Sequence, residues 1–160
     1  MKTNAMRMLD KTKIAYEVLE YDLDKDLFSG ENVSDLLGLS YAECYKTLAL
    51  KHDHDLYICV ISVKDEVDLK KCASALNVKN LEMVHVKDLL KTVGYERGSV
   101  TPIGVKKNNG IVFDKEVLNH EKIEISAGAY GLGLKLNRDE LLKYLGAKVL
   151  DIVKDENDEI

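Results

Sequence analysis

Two apolar segments separated by four polar residues constrain the fold of this chain most strongly. The segments read CYKTLALK (44–51) and LYICVISV (56–63), and HDHD lies between them. Two strand-like runs joined by a short polar turn are typical of a β-hairpin. The pattern therefore predicts an antiparallel pair of strands near the middle of the chain.

Shorter periodic segments predict helices and further strands on both sides of this hairpin. Thr3 caps a predicted first helix that runs to about Lys11, and Asn137 caps a last helix, RDELLKYL, that ends at Gly146. The other predicted helices are ENVSDLLGL (31–39), EVDLKKCASALN (66–77, starting from Asp65 or Asp68) and VKDLLKTV (86–93). The other predicted strands are AYEVLEY (15–21), GIVFD (110–114), KIEIS (122–126), LGLKL (132–136) and KVLDIV (148–153). This order predicts an α+β fold: a single domain, residues 1–154, with a curled mixed β-sheet and surrounding helices, followed by an acidic tail, 155–160.

The composition is that of a globular domain in a reducing compartment. The chain has 160 residues, of which 46% are hydrophobic and 32% are charged, as in ordinary globular domains. No apolar run reaches the roughly 18 residues that span a membrane. Cys44, Cys59 and Cys72 form no CxxC pair, which favours buried thiols over disulfides. We therefore expect a cytoplasmic protein without a membrane segment.

The charge is negative overall but unevenly placed. The net charge is −5, and four of the acids lie in residues 155–159. The pairs Lys70-Lys71 and Lys106-Lys107 form candidate basic patches. The negative net charge gives no support for DNA binding, but its uneven distribution leaves a localised nucleic-acid contact open.

Lys46 is the first candidate for chemistry. If CYKTLALK is a strand, Lys46 shares one face with Cys44, Leu48 and Leu50, because side chains alternate along a strand. An unpaired ammonium on an apolar face loses hydration. Lys46 therefore needs an anionic partner, a lowered pKa or a cleft that opens onto it; the alternative is an edge lysine that reaches water.

The second candidate is the segment GYERGSVTPIG (94–104), which holds the one proline of the chain. Gly98 and Gly104 allow backbone angles closed to other residues, and Pro102 fixes its own φ and extends Thr101. Such a loop can hold its N–H and C=O groups toward a ligand or a developing oxyanion. The alternative is an ordinary connection between a helix and a strand.

The third candidate, SAGAYGLG (126–133), has glycines at the end of a strand that suit a phosphate or a bulged hairpin. It does not match the GxGxxG order of dinucleotide sites. His52 and His54 fit a solvated turn better than a metal site, and no cysteine has an evident histidine partner.

Taken in order, YKTL, GYxxGxVTPxG and SAGxxG resemble the YbaK/EbsC family of aminoacyl-tRNA deacylases, the prolyl-tRNA-synthetase-associated editing domain superfamily. The resemblance covers nearly the whole chain and is closest to the free-standing type that acts on cysteinyl-tRNA(Pro). It implies an enzyme of translation quality control that needs no metal or cofactor and acts on the acceptor end of tRNA, together with a transient complex with prolyl-tRNA synthetase. In this type the substrate's own thiol attacks the ester, while the protein supplies orientation and electrostatics.

The resemblance also implies the site. Lys46 matches the lysine that holds the acceptor end or the reacting ester, and Tyr21 matches a tyrosine that borders the cleft. The implied substrate-binding residues are Tyr21, Gly98, Ser99, Val100, Thr101, Pro102, Gly104, Ser126, Ala127, Gly128 and Gly131.

One motif departs from the family pattern. Cysteine-specific relatives commonly read SGGKRGLDIEL where this chain reads SAGAYGLGLKL, so Ala129 and Tyr130 replace a basic pair and Gly133 replaces an acid. The departure puts cysteine specificity in doubt. The alternatives are a deacylase for another small amino acid and a non-catalytic module that binds a tRNA end or a synthetase.

Overall fold

A computed structural model describes residues 1–155, which form eight strands and five α-helices. The strands are β1 (Tyr16–Glu20), β2 (Tyr45–His52), β3 (Asp55–Ser62), β4 (Glu82–Met83), β5 (Asn108–Asp114), β6 (Lys122–Ser126), β7 (Leu132–Asn137) and β8 (Lys148–Leu150). The helices are α1 (Asn4–Asp10), α2 (Gly30–Leu37), α3 (Leu69–Ala75), α4 (Leu89–Val93) and α5 (Arg138–Leu145). Of the expected tail, 155–160, only Asp155 lies within the described residues.

The predicted hairpin is confirmed and forms the middle of the fold. β2 and β3 pair antiparallel from Tyr45 opposite Ser62 to His52 opposite Asp55. Asp53 turns the chain with a positive φ of 53°, a conformation that aspartate tolerates in tight turns.

The expected α+β class is confirmed, and the strands divide between two sheets. β1, β7 and β6 form an antiparallel sheet, and β4, β2, β3, β5 and β8 form a mixed sheet in that order. A parallel bridge between Cys44 and Glu124 connects them. This bridge joins β6 to the residue that precedes β2, so the two sheets meet at this point.

The helix ends follow the predicted caps. Thr3 Oγ1 accepts from the Met6 N–H at 3.1 Å, and Asn137 Oδ1 accepts from the Glu140 N–H at 2.9 Å. Asp68, rather than Asp65, caps α3. The predicted last strand is shorter than KVLDIV, because beyond Leu150 the Ile152 N–H bonds to the Asp114 carboxylate at 3.0 Å instead of continuing the ladder.

Two apolar clusters hold the elements together. The larger contains side chains from both sheets and from α1, so it joins the sheets. The smaller packs β3 and β5 against α3 and includes the thiols of Cys59 and Cys72. All three cysteines are free and buried, which confirms the expectation of buried thiols.

Candidate functional site

A cleft of about 370 Å³ opens where the two sheets separate, within the size range of small-ligand sites. β2 contributes five consecutive residues, Tyr45 to Ala49, to its wall. β4 pairs with β2 only at Leu50 and Lys51, so within residues 1–155 no strand covers this part of the β2 edge on that side. The rest of the lining is mainly apolar and includes Phe28, Val33, Val63, Val84, Leu89 and Leu132.

Lys46 lies on this cleft, which is one of the three environments predicted for it. Its side chain is half-buried and follows the apolar face, since Leu48 and Leu50 of the same face pack in the smaller cluster. Within residues 1–155, no ion pair involves Lys46. Lys51, further along β2, pairs instead with Glu82 at 3.5 Å.

The proline-containing loop reaches the cleft at three residues. Arg97, Gly98 and Val100 line it, and Gly98 has a φ of 89°. Thr101 and Pro102 are buried beneath the surface, and Ser99 is anchored by its Oγ, which donates to the Glu96 carbonyl at 2.9 Å.

Tyr95 supports both glycine loops. Its hydroxyl donates to the Ile103 carbonyl at 2.6 Å. A Cβ at Gly104 would lie 3.0 Å from that hydroxyl, and a Cβ at Gly128 would lie 3.1 Å from the Tyr95 ring. Gly104 therefore packs against Tyr95 rather than lining the cleft.

The second glycine segment is a hairpin loop between β6 and β7, as the hairpin alternative predicted. Ser126 lines the cleft, and its Oγ accepts from the Gly128 N–H at 3.1 Å. The carbonyl of Gly131 accepts from the Tyr21 N–H at 3.0 Å, which holds the end of β1 against the loop. Ala127 is fully buried and does not line the cleft.

An aromatic cluster closes this end of the cleft. The Tyr130 ring lies 5.8 Å from the rings of both Tyr21 and Phe28, and its hydroxyl donates to the Leu23 carbonyl at 2.7 Å. Burial raises the pKa of Tyr21. Phe28 was not predicted as a site residue, and Tyr130 was noted only as a departure from the motif, because their contacts with each other and with Tyr21 join segments that are distant along the chain.

Glu124 was not predicted as a site residue, yet it lines the cleft. Its side chain is almost fully buried, and this burial raises the carboxyl pKa to about 7, while the Cys44 thiol lowers it slightly by hydrogen bonding. The available signal was the acid inside KIEIS, flanked on both sides by isoleucines of a buried strand. Perturbed carboxyls of this kind are frequent at functional sites.

Cations lie beside the segment that has lost the family's basic pair. Lys25 and Arg97 line a hollow with Ala129 and Tyr130, and the Lys25 Nζ lies 5.6 Å from the Tyr130 ring centroid. Arg97 also lines the cleft. Other elements thus bring positive charge to the place where the sequence motif lacks it.

A basic groove continues from this hollow past Gly94 and Tyr95, which line both. Its cationic residues are Arg7, Lys11, Lys91, Lys106 and Lys107. Of these, Lys91 pairs with Asp88 at 3.2 Å. The other candidate patch is neutralised in part, because Lys71 pairs with Asp151 at 3.2 Å and Asp155 at 3.0 Å.

Within residues 1–155, no group of three or more His, Cys, Asp or Glu side chains is arranged to hold a metal ion. The same residues contain no helix that is long and apolar enough to cross a membrane.

The fold is that of a small α+β domain with a cleft between two sheets, lined by a lysine and part of a glycine loop. Residues 24–144 match the family model of the aminoacyl-tRNA editing domain. The chain belongs to this family.

A curated relative agrees with this assignment, and a solved structure shares the fold. EbsC of Enterococcus faecalis, a proposed Cys-tRNA(Pro)/Cys-tRNA(Cys) deacylase, is 35% identical over 97% of this chain and 95% of its own length. A proline–tRNA ligase of Desulfitobacterium hafniense is 32% identical over 54% of this chain, which matches 15% of the ligase. The crystal structure of a proposed trans-editing enzyme for prolyl-tRNA synthetase shares the fold, with a TM-score of 0.81 and 19% identity over 97% of this chain and 99% of that one.

Proposed function

We propose that this protein is a free-standing deacylase that removes cysteine from mischarged tRNA(Pro). The observation that carries the proposal is Lys46, a half-buried lysine on an apolar cleft without an ion-pair partner among residues 1–155. An unpaired cation at such a place suits an anionic or strongly polar ligand. Membership of the editing family and the likeness to EbsC support an aminoacyl ester of tRNA as this ligand.

We assign a role to each proposed site residue from its position in the cleft or behind it. Lys46 holds the terminal phosphate or the ester, while Tyr21 and Ser126 form opposite parts of the wall. The backbone of Gly98 and Val100 surrounds the aminoacyl group. The remaining residues support these from behind. Ser99, Gly104, Gly128 and Gly131 do so through the contacts described above, and Thr101, Pro102 and Ala127 are buried.

The proposed reaction uses the thiol of the substrate. Its sulfur bonds to the ester carbonyl carbon, the bond from that carbon to the ribose oxygen breaks, and the thiol proton passes to the ribose oxygen. The products are a cyclic thioester and free tRNA. The protein contributes by fixing the thiol close to the carbonyl and by placing polar groups where the oxyanion develops.

We assign the basic groove to the acceptor stem of the tRNA. The cleft, the hollow and the groove form a continuous path, since Arg97 is shared by the first two and Tyr95 by the last two. A polyanion that enters the cleft by its 3′ end would meet positive charge along this path. The overall charge of −5 makes a loose hold on free tRNA the expected behaviour, so we also propose a transient complex with prolyl-tRNA synthetase, in the cytoplasm.

A panel of mischarged tRNAs tests the proposal. We expect fast deacylation of cysteinyl-tRNA(Pro) and slow deacylation of its seryl counterpart, because a hydroxyl is a much weaker nucleophile than a thiol. Equal rates for serine or alanine would replace the thiol route with general deacylation of small amino acids. Salt-sensitive tRNA binding without turnover would identify a non-catalytic module instead.

A further inference from the structure

A carboxyl group lies in the cleft without a cation to balance it. Glu124 is 6% exposed, and within residues 1–155 no ion pair involves it. The polar group that contacts it is the Cys44 thiol. Lys135 lies opposite Glu124 across the β6–β7 pair, but its ammonium lies 3.8 Å from the Glu43 carboxylate.

Gly133 provides the space that this carboxyl occupies. A Cβ at Gly133 would lie 2.5 Å from Glu124 Oε2, which is shorter than real Cβ contacts, and 3.3 Å from its Cδ. The φ of Gly133 is not in the positive range, so the backbone itself does not demand glycine here. A side chain at position 133 would instead require the Glu124 carboxyl to move, so the present position of this carboxyl depends on the glycine.

The carboxyl above Gly133 belongs to the neighbouring strand β6, which pairs with β7. The cleft therefore has a carboxyl at this wall, and it reaches the position above Gly133 from β6.

The charges of the cleft are complementary to one kind of ligand. Among the described residues that line it, Glu124 is the one carboxyl, and Lys46 and Arg97 are the cations. Within residues 1–155, neither cation has an ion-pair partner. A ligand that satisfies all three must carry a positive group close to the buried wall and negative groups toward Lys46 and Arg97.

An aminoacyl nucleotide has this arrangement, with an α-ammonium beside the ester and phosphate beyond the ribose. We infer that Glu124, in the space left by Gly133, binds the α-ammonium of the aminoacyl group and so orients the ester in the cleft. This assignment rests on the proposed function and adds the subsite that recognises the amine. An ammonium next to a buried carboxylate forms a strong, charge-assisted hydrogen bond.

The test compares two esters of the same tRNA. One carries cysteine, and the other carries its α-hydroxy analogue, which keeps the thiol but replaces the ammonium by a hydroxyl. We expect the wild type to favour the cysteinyl ester in kcat/KM by about tenfold to a hundredfold, the range for a hydrogen bond between charged groups. In Glu124→Gln the preference should fall to about one, because the cysteinyl rate falls and the hydroxy-ester rate does not. The matched control Glu121→Gln, an exposed acid that does not line the cleft, should keep the wild-type preference.

Two outcomes would overturn the assignment. One is an equal loss on both esters in Glu124→Gln, because the carboxyl would then act on the ester or on folding. The other is an unchanged preference. Absence of any wild-type deacylation would instead overturn the proposed function, so the two failures are distinguishable.

A second variant tests the position of the subsite independently. Gly133→Asp alone should lose the amine preference, because it displaces the Glu124 side chain and sets two carboxyls together. Combining it with Glu124→Ala restores a single carboxyl on the facing strand, and the preference should return. A folded double variant without amine preference would contradict the location assigned to the ammonium.

Discussion

Gly98 lies directly against the ring of Tyr130. A Cβ at Gly98 would be 3.1 Å from Tyr130 Cδ2 and 3.6 Å from Phe28 Cδ1. The first loop of the cleft therefore packs on an aromatic residue of the second loop. Position 98 requires glycine for two reasons: the close approach of the Tyr130 ring and the positive φ of 89°.

We expect Gly98→Ala to lower both stability and deacylation. The positive φ costs about 1–2 kcal/mol for a residue with a Cβ. The new methyl group also displaces the Tyr130 ring, which packs against two residues of the cleft wall, Tyr21 and Phe28. Gly38→Ala is the matched control, since Gly38 has a φ of 70° and nothing lies within 4 Å of its Cβ position. It should lose a similar free energy of unfolding in urea and keep full kcat/KM. Equal activity in the two folded variants would mean that the contact with Tyr130 has no part in the site.

Removing the ammonium of Lys46 should abolish most deacylation. We expect Lys46→Ala and Lys46→Met to reduce kcat/KM for cysteinyl-tRNA(Pro) by about 100-fold or more, the scale of a lost electrostatic contact in an active site. Lys46→Met keeps the aliphatic stem that covers apolar surface, so it separates charge from packing. Lys51→Ala, on the same strand but paired with Glu82 at 3.5 Å, should retain activity. Full turnover in folded Lys46→Met would contradict the role of the ammonium.

The stability of the protein should depend on pH through Glu124. Burial raises its carboxyl pKa to about 7, from an ordinary value of 4.5, so the folded chain binds this proton more tightly than the unfolded chain. The stabilisation is fully present below about pH 4.5 and is lost as pH rises through 7, which corresponds to at most about 3 kcal/mol. Glutamine does not titrate. The excess stability of Glu124→Gln over the wild type should therefore grow from pH 4.5 to 8 in urea unfolding.

A second acid, Glu43, should show the opposite pH dependence of stability and serves as a control for this measurement. Hydrogen bonding from Ser40, and the charge of Lys135, lower the pKa of Glu43. Its ionised form therefore stabilises the fold above its unfolded pKa, and Glu43→Gln should lose stability relative to the wild type as pH rises. A difference between Glu124→Gln and the wild type that is constant with pH would show that the buried carboxyl does not titrate in this range.

The basic groove should control affinity for tRNA rather than the chemical step. We expect Lys106→Gln with Lys107→Gln to raise KM for cysteinyl-tRNA(Pro) and to leave kcat unchanged. Each lost phosphate contact should reduce the slope of log KM against log salt by about one. A cysteinylated acceptor trinucleotide, too short to reach the groove, should be cleaved equally by both proteins. The double variant Lys70→Gln with Lys79→Gln makes the same charge change outside the groove, and an equal effect there would contradict the assignment.

Local patterns predicted the elements well, because caps and alternation act within a few residues. Thr3, Asn137 and Asp68 cap helices as their side chains allow, and the HDHD turn closes the hairpin as expected. The alternation of β2 also placed Lys46 correctly at an apolar face. Each of these features depends on neighbours along the chain.

Contacts between distant residues were beyond this kind of prediction. Tyr95 supports two loops because the fold brings Gly104 to its hydroxyl and Gly128 to its Cε1 atom. Glu124 matters because β6 lies beside β7 and faces Gly133, a register that neither segment specifies alone. The separation of the two sheets likewise depends on where β6 and β2 diverge beyond the bridge between Cys44 and Glu124.

The two walls of the cleft belong to different sheets, with Tyr45 and Ala49 on one and Ser126 on the other. The larger apolar cluster that joins these sheets includes Ile123 and Ile125. These two isoleucines do not line the cleft, so buried side chains behind the lining help to set the distance between the walls. We therefore expect a change of one methyl group at Ile123 or Ile125 to alter the width of the cleft while every lining residue stays the same. A comparison of lining residues alone would miss such a change.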